Sequence, residues 1–182
     1  MRILEHQAYK GINYFTLDLD RLANILCRIE RFNAHTDFSI SVGHHSIHCL
    51  YLAKEKYPNS KRIQQLALYH DISEAYYGDI PTYIKKRLGD EARYQLNLMD
   101  QEIFSRLNID YPLKHEKDII KEIDLTALTL EAKVGFNSLV FDKDDWPTPY
   151  TWDTYTIQTL TAYPFYALEE KLLQLFKEYQ YV

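Results

Sequence analysis

Between Leu17 and Phe32 the apolar residues Leu22, Ile25, Leu26, Ile29 and Phe32 recur with a helical period behind the acidic start Asp18 and Asp20, which predicts a first helix. A polar connector from Asn33 to Ser41 leads to a second, with His45, Cys49, Leu52 and Ala53 on one face and Tyr57-Pro58-Asn59 at its end. The third runs from Arg62 to Tyr77. Gly78 stops it, and Asp79-Ile80-Pro81 turns the chain before the basic segment Lys85-Lys86-Arg87. Asp90 reads as the N-cap of a fourth helix, with Leu96, Met99, Ile103 and Leu107 inward and a close between Asn108 and Pro112. A fifth spans about Glu116 to Lys133, with Ile120, Ile123, Asp124, Ala127 and Leu128 inward. From Gly135 to Tyr155 the pattern breaks at Asp142, Asp144, Asp145, Trp146, Pro147 and Pro149, which reads as a long loop. A last amphipathic helix, about 162–180, uses Phe165, Leu168, Leu172, Leu175 and Phe176. No segment alternates as a strand for long, and neither a repeat nor a linker divides the chain. The expectation is one all-α domain over residues 1–182, a bundle of about six helices.

Two of these apolar faces run into polar residues. On the third helix Ile63, Leu66 and Ala67 are followed on the same side by His70 and then Glu74; on the fifth an acid, Asp124, occupies a core position. Burying an imidazole or a carboxylate costs roughly several kcal/mol unless it is paired or bound to metal. Histidine on the second helix, His70 with Asp71 on the third and Asp124 on the fifth therefore form a candidate metal set. His44 and His45 are not separated by periodicity, because His44 shares a face with Ile47, His48 and Tyr51. Mixed nitrogen and oxygen ligation favours one divalent transition metal (Mn, Co, Zn, Fe or Ni) over Mg or Ca. Such an ion acidifies water and draws charge from a phosphoryl group. Glu74, one turn beyond His70, is the candidate base for the attacking water. Lys121, three residues before Asp124, is placed to grip a phosphate, and Asp79 in the turn to receive a substrate hydroxyl.

Composition narrows the partners. The 182 residues carry a formal net charge of −5, which weighs against a nucleic acid polymer and leaves a small anionic ligand held by local cations. Cys27 and Cys49 have no metal-ligand spacing and read as small buried residues of a reducing, cytoplasmic compartment. No apolar run is long enough to span a membrane. The 16 tyrosines are assigned to packing.

The ordered series His45-Ser46, His70-Asp71, Glu74, Gly78-Asp79-Ile80-Pro81 and Asp124 resembles the HD-domain phosphohydrolase superfamily, and it selects His45 over His44. The segment from His70 to Lys85, the Lys121 to Asp124 block and the Arg31-Phe32 pair are similar to bacterial HD 5′-deoxyribonucleotidases. Arg31-Phe-Asn-Ala-His35-Thr36, Ser41-Val42 and His45-Ser46 resemble small phage HD hydrolases, among them dATP triphosphohydrolases. The resembling blocks cover about residues 20–134. The resemblance implies a six-helix HD fold, metal at His45, His70, Asp71 and Asp124, catalysis at Glu74, phosphate near Arg31 and Lys121, and the nucleoside against Phe32. It also implies a deoxynucleotide substrate, and relatives assemble into homo-oligomers. A phage-encoded member would work in the host cytoplasm. Two products compete. Release of triphosphate from a dNTP, with dATP foremost, is slightly favoured by the phage-like first third, the short interval between Asp71 and Asp124 and the cations from Lys85 to Arg87; it would bring a second metal, Mg. Release of phosphate from a dNMP is the alternative, and a nucleotide-binding module without turnover is the third reading.

Overall fold

The computed structural model describes residues 18–136 and 164–182. Every regular element among them is helical: α1 (Leu19–Leu26), a 3-10 turn (Arg31–Ala34), α2 (Val42–Lys56), α3 (Lys61–Tyr69), α4 (Glu74–Tyr77), α5 (Thr82–Lys85), α6 (Asp90–Arg106), α7 (Lys114–Gly135) and α8 (Phe165–Tyr179). Six of these helices have eight residues or more, as the all-α expectation requires. The predicted loop lies, beyond Phe136, outside the described residues, as does His6.

α2 starts where Ser41 Oγ accepts the His44 N–H (3.3 Å) while His44 Nδ1 accepts the Ser41 N–H (3.1 Å), a reciprocal cap. α2 then packs on α3, α7 and α8, and α8 also covers α1. Tyr69 stacks on Phe176 with centroids 4.8 Å apart and donates its hydroxyl to the Phe176 carbonyl at 2.7 Å. Buried Gln65 donates to the Tyr179 carbonyl (2.7 Å), and Tyr179 donates to Gln64 (2.9 Å), so α3 buries two amides without orphaning them. Gly43 lets α2 approach the end of α1, since a Cβ there would stand 2.7 Å from Cys27 Sγ.

Several boundaries differ from the sequence pattern. The first helix ends at Leu26, and Ile29 and Phe32 fall outside it. An antiparallel bridge replaces its last turn: Val42 N–H donates to the Ile29 carbonyl (2.9 Å) and Arg31 N–H to the Ile40 carbonyl (2.8 Å). The third predicted helix is two. α3 stops at Tyr69, and Ile72, Glu74 and Ala75 donate to carbonyls three residues back, a tightened turn through His70–Ser73. Asp90 is the first residue of α6, behind Gly89 as its cap. Phe165 begins α8 exposed rather than inward, its ring lying under the Arg28 guanidinium at 5.1 Å.

Candidate metal centre and its neighbourhood

The tightened turn carries the centre. His70 and Asp71 both face it, with Nε2 and Oδ2 3.1 Å apart. His45 comes from the first turns of α2 and Asp124 from the middle of α7, their Nε2 and Oδ1 also 3.1 Å apart. His45 Nε2 lies 3.3 Å from His70 Nε2 and 3.6 Å from Asp71 Oδ2. One ligand atom from each of the four residues falls within 4.8 Å of all the others. His44 is spent on the cap of α2, so the structure brings His45 to the cluster and leaves His44 out.

The donor set fits a divalent cation. His45 Nδ1 is hydrogen-bonded to Glu131 (3.0 Å) and His70 Nδ1 to the Ala67 carbonyl (2.9 Å), which holds a proton on each Nδ1 and turns each Nε2 lone pair inward. Two lone pairs facing each other at 3.3 Å beside two carboxylates are a repulsive arrangement that a cation relieves. Where no cation is present a proton on His45 takes its place: the imidazole is raised well above its ordinary value against burial, and its Nε2 donates to Asp124. Asp124 by His45 and Asp71 by His70 are held below the carboxylate range against burial, so both acids are charged. Cys49 Sγ also stands 3.5 Å from His45 Nε2. Burial pushes its thiol up to about 11, which makes it a poorer donor than the carboxylates.

Glu74 opens α4 beside the cluster with its side chain 1 % exposed. Lys85 donates to its Oε1 at 2.9 Å, and its Oε2 is buried without a hydrogen-bond partner among the described residues. Burial and the Asp71 charge push its carboxyl up to about 8, against the pull of Lys85. Lys85, read from sequence as a polyphosphate contact, is thus engaged by the candidate base, while Lys86 and Arg87 are exposed. Asp79 is half-buried, and burial raises it above its ordinary value against the field of Arg31.

Arg31 is not an edge cation. It is buried, donates from Nε to Glu131 at 3.1 Å, and holds its Nη1 3.7 Å from Asp71. Behind it Phe32, Asn33 and Ala34 take φ values of 53°, 51° and 58°, a left-handed run that costs roughly 1–2 kcal/mol per residue. That run presents the Phe32 ring edge-on to Phe136, centroids 5.5 Å apart. On the other side, a cavity of about 230 Å³ adjoins His70 and Asp124. Leu66, Phe104, Tyr111 and Ile120 form its apolar wall, and Asp100, Lys117 and Lys121 its polar one. Lys121 therefore lines the cavity beside Asp124, whereas Arg31 is paired with carboxylates. His35 and His115 are exposed, and His48 is buried and bonded to Glu131, as expected of histidines outside the centre.

The model of the family described as "5′-deoxynucleotidase YfbR-like" matches residues 19–123, more than half of the chain. The chain belongs to this YfbR-like family. The matched span takes in Arg31, His45, His70, Asp71, Glu74, Asp79, Lys85 and Lys121, and stops one residue before Asp124. The "Uncharacterized protein YfdR" of Escherichia coli (strain K12) is 29% identical over 130 residues, 71% of this chain and 67% of that protein. Membership of the YfbR-like family makes the chain an HD-domain, metal-dependent phosphohydrolase of deoxynucleotides. No described helix is long and apolar enough to cross a membrane.

Glu131, Asp100, Lys117 and the Phe104–Tyr111 wall were not read from sequence. Glu131 had a signal: it lies seven residues after Asp124, two turns along the same face of α7. The cavity residues had none, since α6 and the start of α7 look like ordinary half-buried helix surface.

Proposed function

We propose that the protein hydrolyses 5′-deoxyribonucleoside monophosphates to a deoxynucleoside and inorganic phosphate. His45, His70, Asp71 and Asp124 hold one divalent transition metal, and Glu74 is the general base. The observation that carries this reading is the convergence of those four donors beside a buried carboxylate with one unpartnered oxygen, in a chain of the YfbR-like 5′-deoxynucleotidase family. When bound, the metal acidifies a water molecule and withdraws charge from the phosphoryl oxygens. Glu74 accepts the proton of the attacking water through Oε2 while Lys85 fixes Oε1. Lys121 meets the phosphate at the cavity, Arg31 steadies Asp71 from behind, and Asp79 and Phe32 face the nucleoside.

The triphosphate reading asks for more cations at the centre. Lys85 is engaged by Glu74 and its basic neighbours point to solvent, so the monophosphate is favoured. Incubating the protein with each dNMP and dNTP in the presence of Mn, Co, Zn or Mg, then separating phosphate from triphosphate, tests the choice. Phosphate from dNMPs is expected. Triphosphate from dNTPs with dNMPs left intact would replace this reading by the triphosphohydrolase one, with its second Mg. Absence of any turnover with every metal would leave a binding module.

A further inference from the structure

Among the described residues, the most heavily engaged buried acid is none of the four candidate ligands. Glu131, on α7, is 0% exposed and accepts three side-chain donors: Arg31 Nε on Oε2 at 3.1 Å, and His45 Nδ1 and His48 Nδ1 on Oε1 at 3.0 and 2.6 Å. Arg31 reaches on to Asp71 at 3.7 Å, so one carboxylate is tied to a candidate ligand on α2 and, through a guanidinium, to another on the turn after α3. We infer that Glu131 is the positioning residue of the metal centre: it fixes the Nδ1–H tautomer and ring orientation of His45 and anchors Arg31 against Asp71. The inference rests on His45 being a ligand.

The chemistry follows from counting donors and acceptors. An imidazole that donates from Nδ1 keeps its lone pair at Nε2, and a carboxylate acceptor makes that lone pair more basic. A carboxylate can receive all three donors. An amide has one acceptor oxygen, so in Glu131→Gln its NH2 group must face either Arg31 Nε or His45 Nδ1. The first is a donor against a donor; the second drives the His45 proton to Nε2 and removes the lone pair from the centre. His48 shares the same oxygen but is absent from the four-donor cluster, which makes it an internal control.

The test is equilibrium Co(II) binding to the full chain, followed by the visible absorption of the bound ion, with thermal unfolding of the metal-free proteins alongside. Glu131→Gln is expected to weaken Co(II) affinity by about 10–100-fold and to alter the absorption band, while His48→Phe stays within about threefold of wild type. Glu131→Asp keeps the buried charge beside Arg31 and withdraws the oxygens by one methylene. It is expected to weaken affinity as well, and it decides the matter if Glu131→Gln does not fold. Wild-type affinity in the folded Glu131 variants, or an equal loss in His48→Phe, overturns the inference. His45→Ala separates the two levels: if it binds Co(II) as wild type does, the ligand assignment fails and the inference with it. If it loses Co(II) while the Glu131 variants do not, the positioning role alone is refuted.

Discussion

Replacing Lys85 by methionine discriminates between an ion pair with the proposed base, Glu74, and a grip on phosphate. Lys85 Nζ lies 2.9 Å from Glu74 Oε1, with side-chain exposures of 36 % and 1 %. Unit charges at that separation attract by about 6 kcal/mol at an effective dielectric constant of about 20. The open side of Lys85 screens this to about 1–2 kcal/mol, or about one pKa unit at Glu74. The sign is set by the carboxyl being raised already, to about 8, by burial and Asp71, with Lys85 pulling it down. Without Lys85 it rises further, and less of it is charged at neutral pH. A base works as the carboxylate, so activity is lost as pH falls through its pKa.

Lys85→Met should therefore move the acidic limb of kcat alkaline by about one unit and lower kcat at neutral pH by about tenfold, with KM nearly unchanged. Lys85→Arg should keep most of the activity. The assay is steady-state hydrolysis of a dNMP by manganese-loaded protein between about pH 6 and 9. A cation beside Asp71 displaces the limb of wild type and variant alike, so the difference between them is the quantity read. A raised KM with the limb in place would refute the pairing and return Lys85 to the substrate.

Asp71→Asn and Asp124→Asn should lose bound manganese by metal analysis, whereas His44→Ala should retain it at a cost of about 1 kcal/mol from the cap of α2. Chelation of wild type should abolish turnover, and restoring the metal should raise the unfolding temperature. Gly43→Ala should destabilise the fold by about 1–3 kcal/mol in denaturant unfolding, because its Cβ would meet Cys27 Sγ at 2.7 Å and Cys27 backbone at 3.2 Å. Glu116 is held below its ordinary value, against burial, by Arg62 and the Leu113 N–H, so it adds stability that is present at neutral pH and lost as acid protonates it. Glu116→Gln should cost about 1 kcal/mol at neutral pH, with the two unfolding curves converging below about pH 4.

The helices that could be read from sequence are those whose periodicity is enforced by packing. α2 is buried on every side from Val42 to Leu50 and α7 keeps one face inward from Glu116 to Ala127, and their predicted spans hold to within a few residues. The misread boundaries lie where the centre makes its own demands. His70 and Asp71 are neighbours that both reach the centre, and they do so where the regular helix gives way to a tightened turn after Tyr69, a break that apolar periodicity does not mark. Arg31 likewise lies beyond the end of the first helix. The bridge to Ile40 carries it to the α2 N-terminus, a long-range pairing that no local period encodes.

The site was legible to the same extent. A polar residue on an apolar stripe announces itself, and that rule pointed to His70, Glu74 and Asp124, whereas His45 was separated from His44 only by the family resemblance. It does not say which polar residues neutralise one another. Lys85 was read by charge, and Arg31 by resemblance, as a partner for phosphate, yet each faces a buried carboxylate, Glu74 and Glu131. Sequence shows where charge is; the fold decides how much of it is consumed internally. Each ion pair made inside the protein removes one cation from the number that can meet the substrate. That subtraction supports the proposed single phosphate over the polyphosphate that the basic segment suggests.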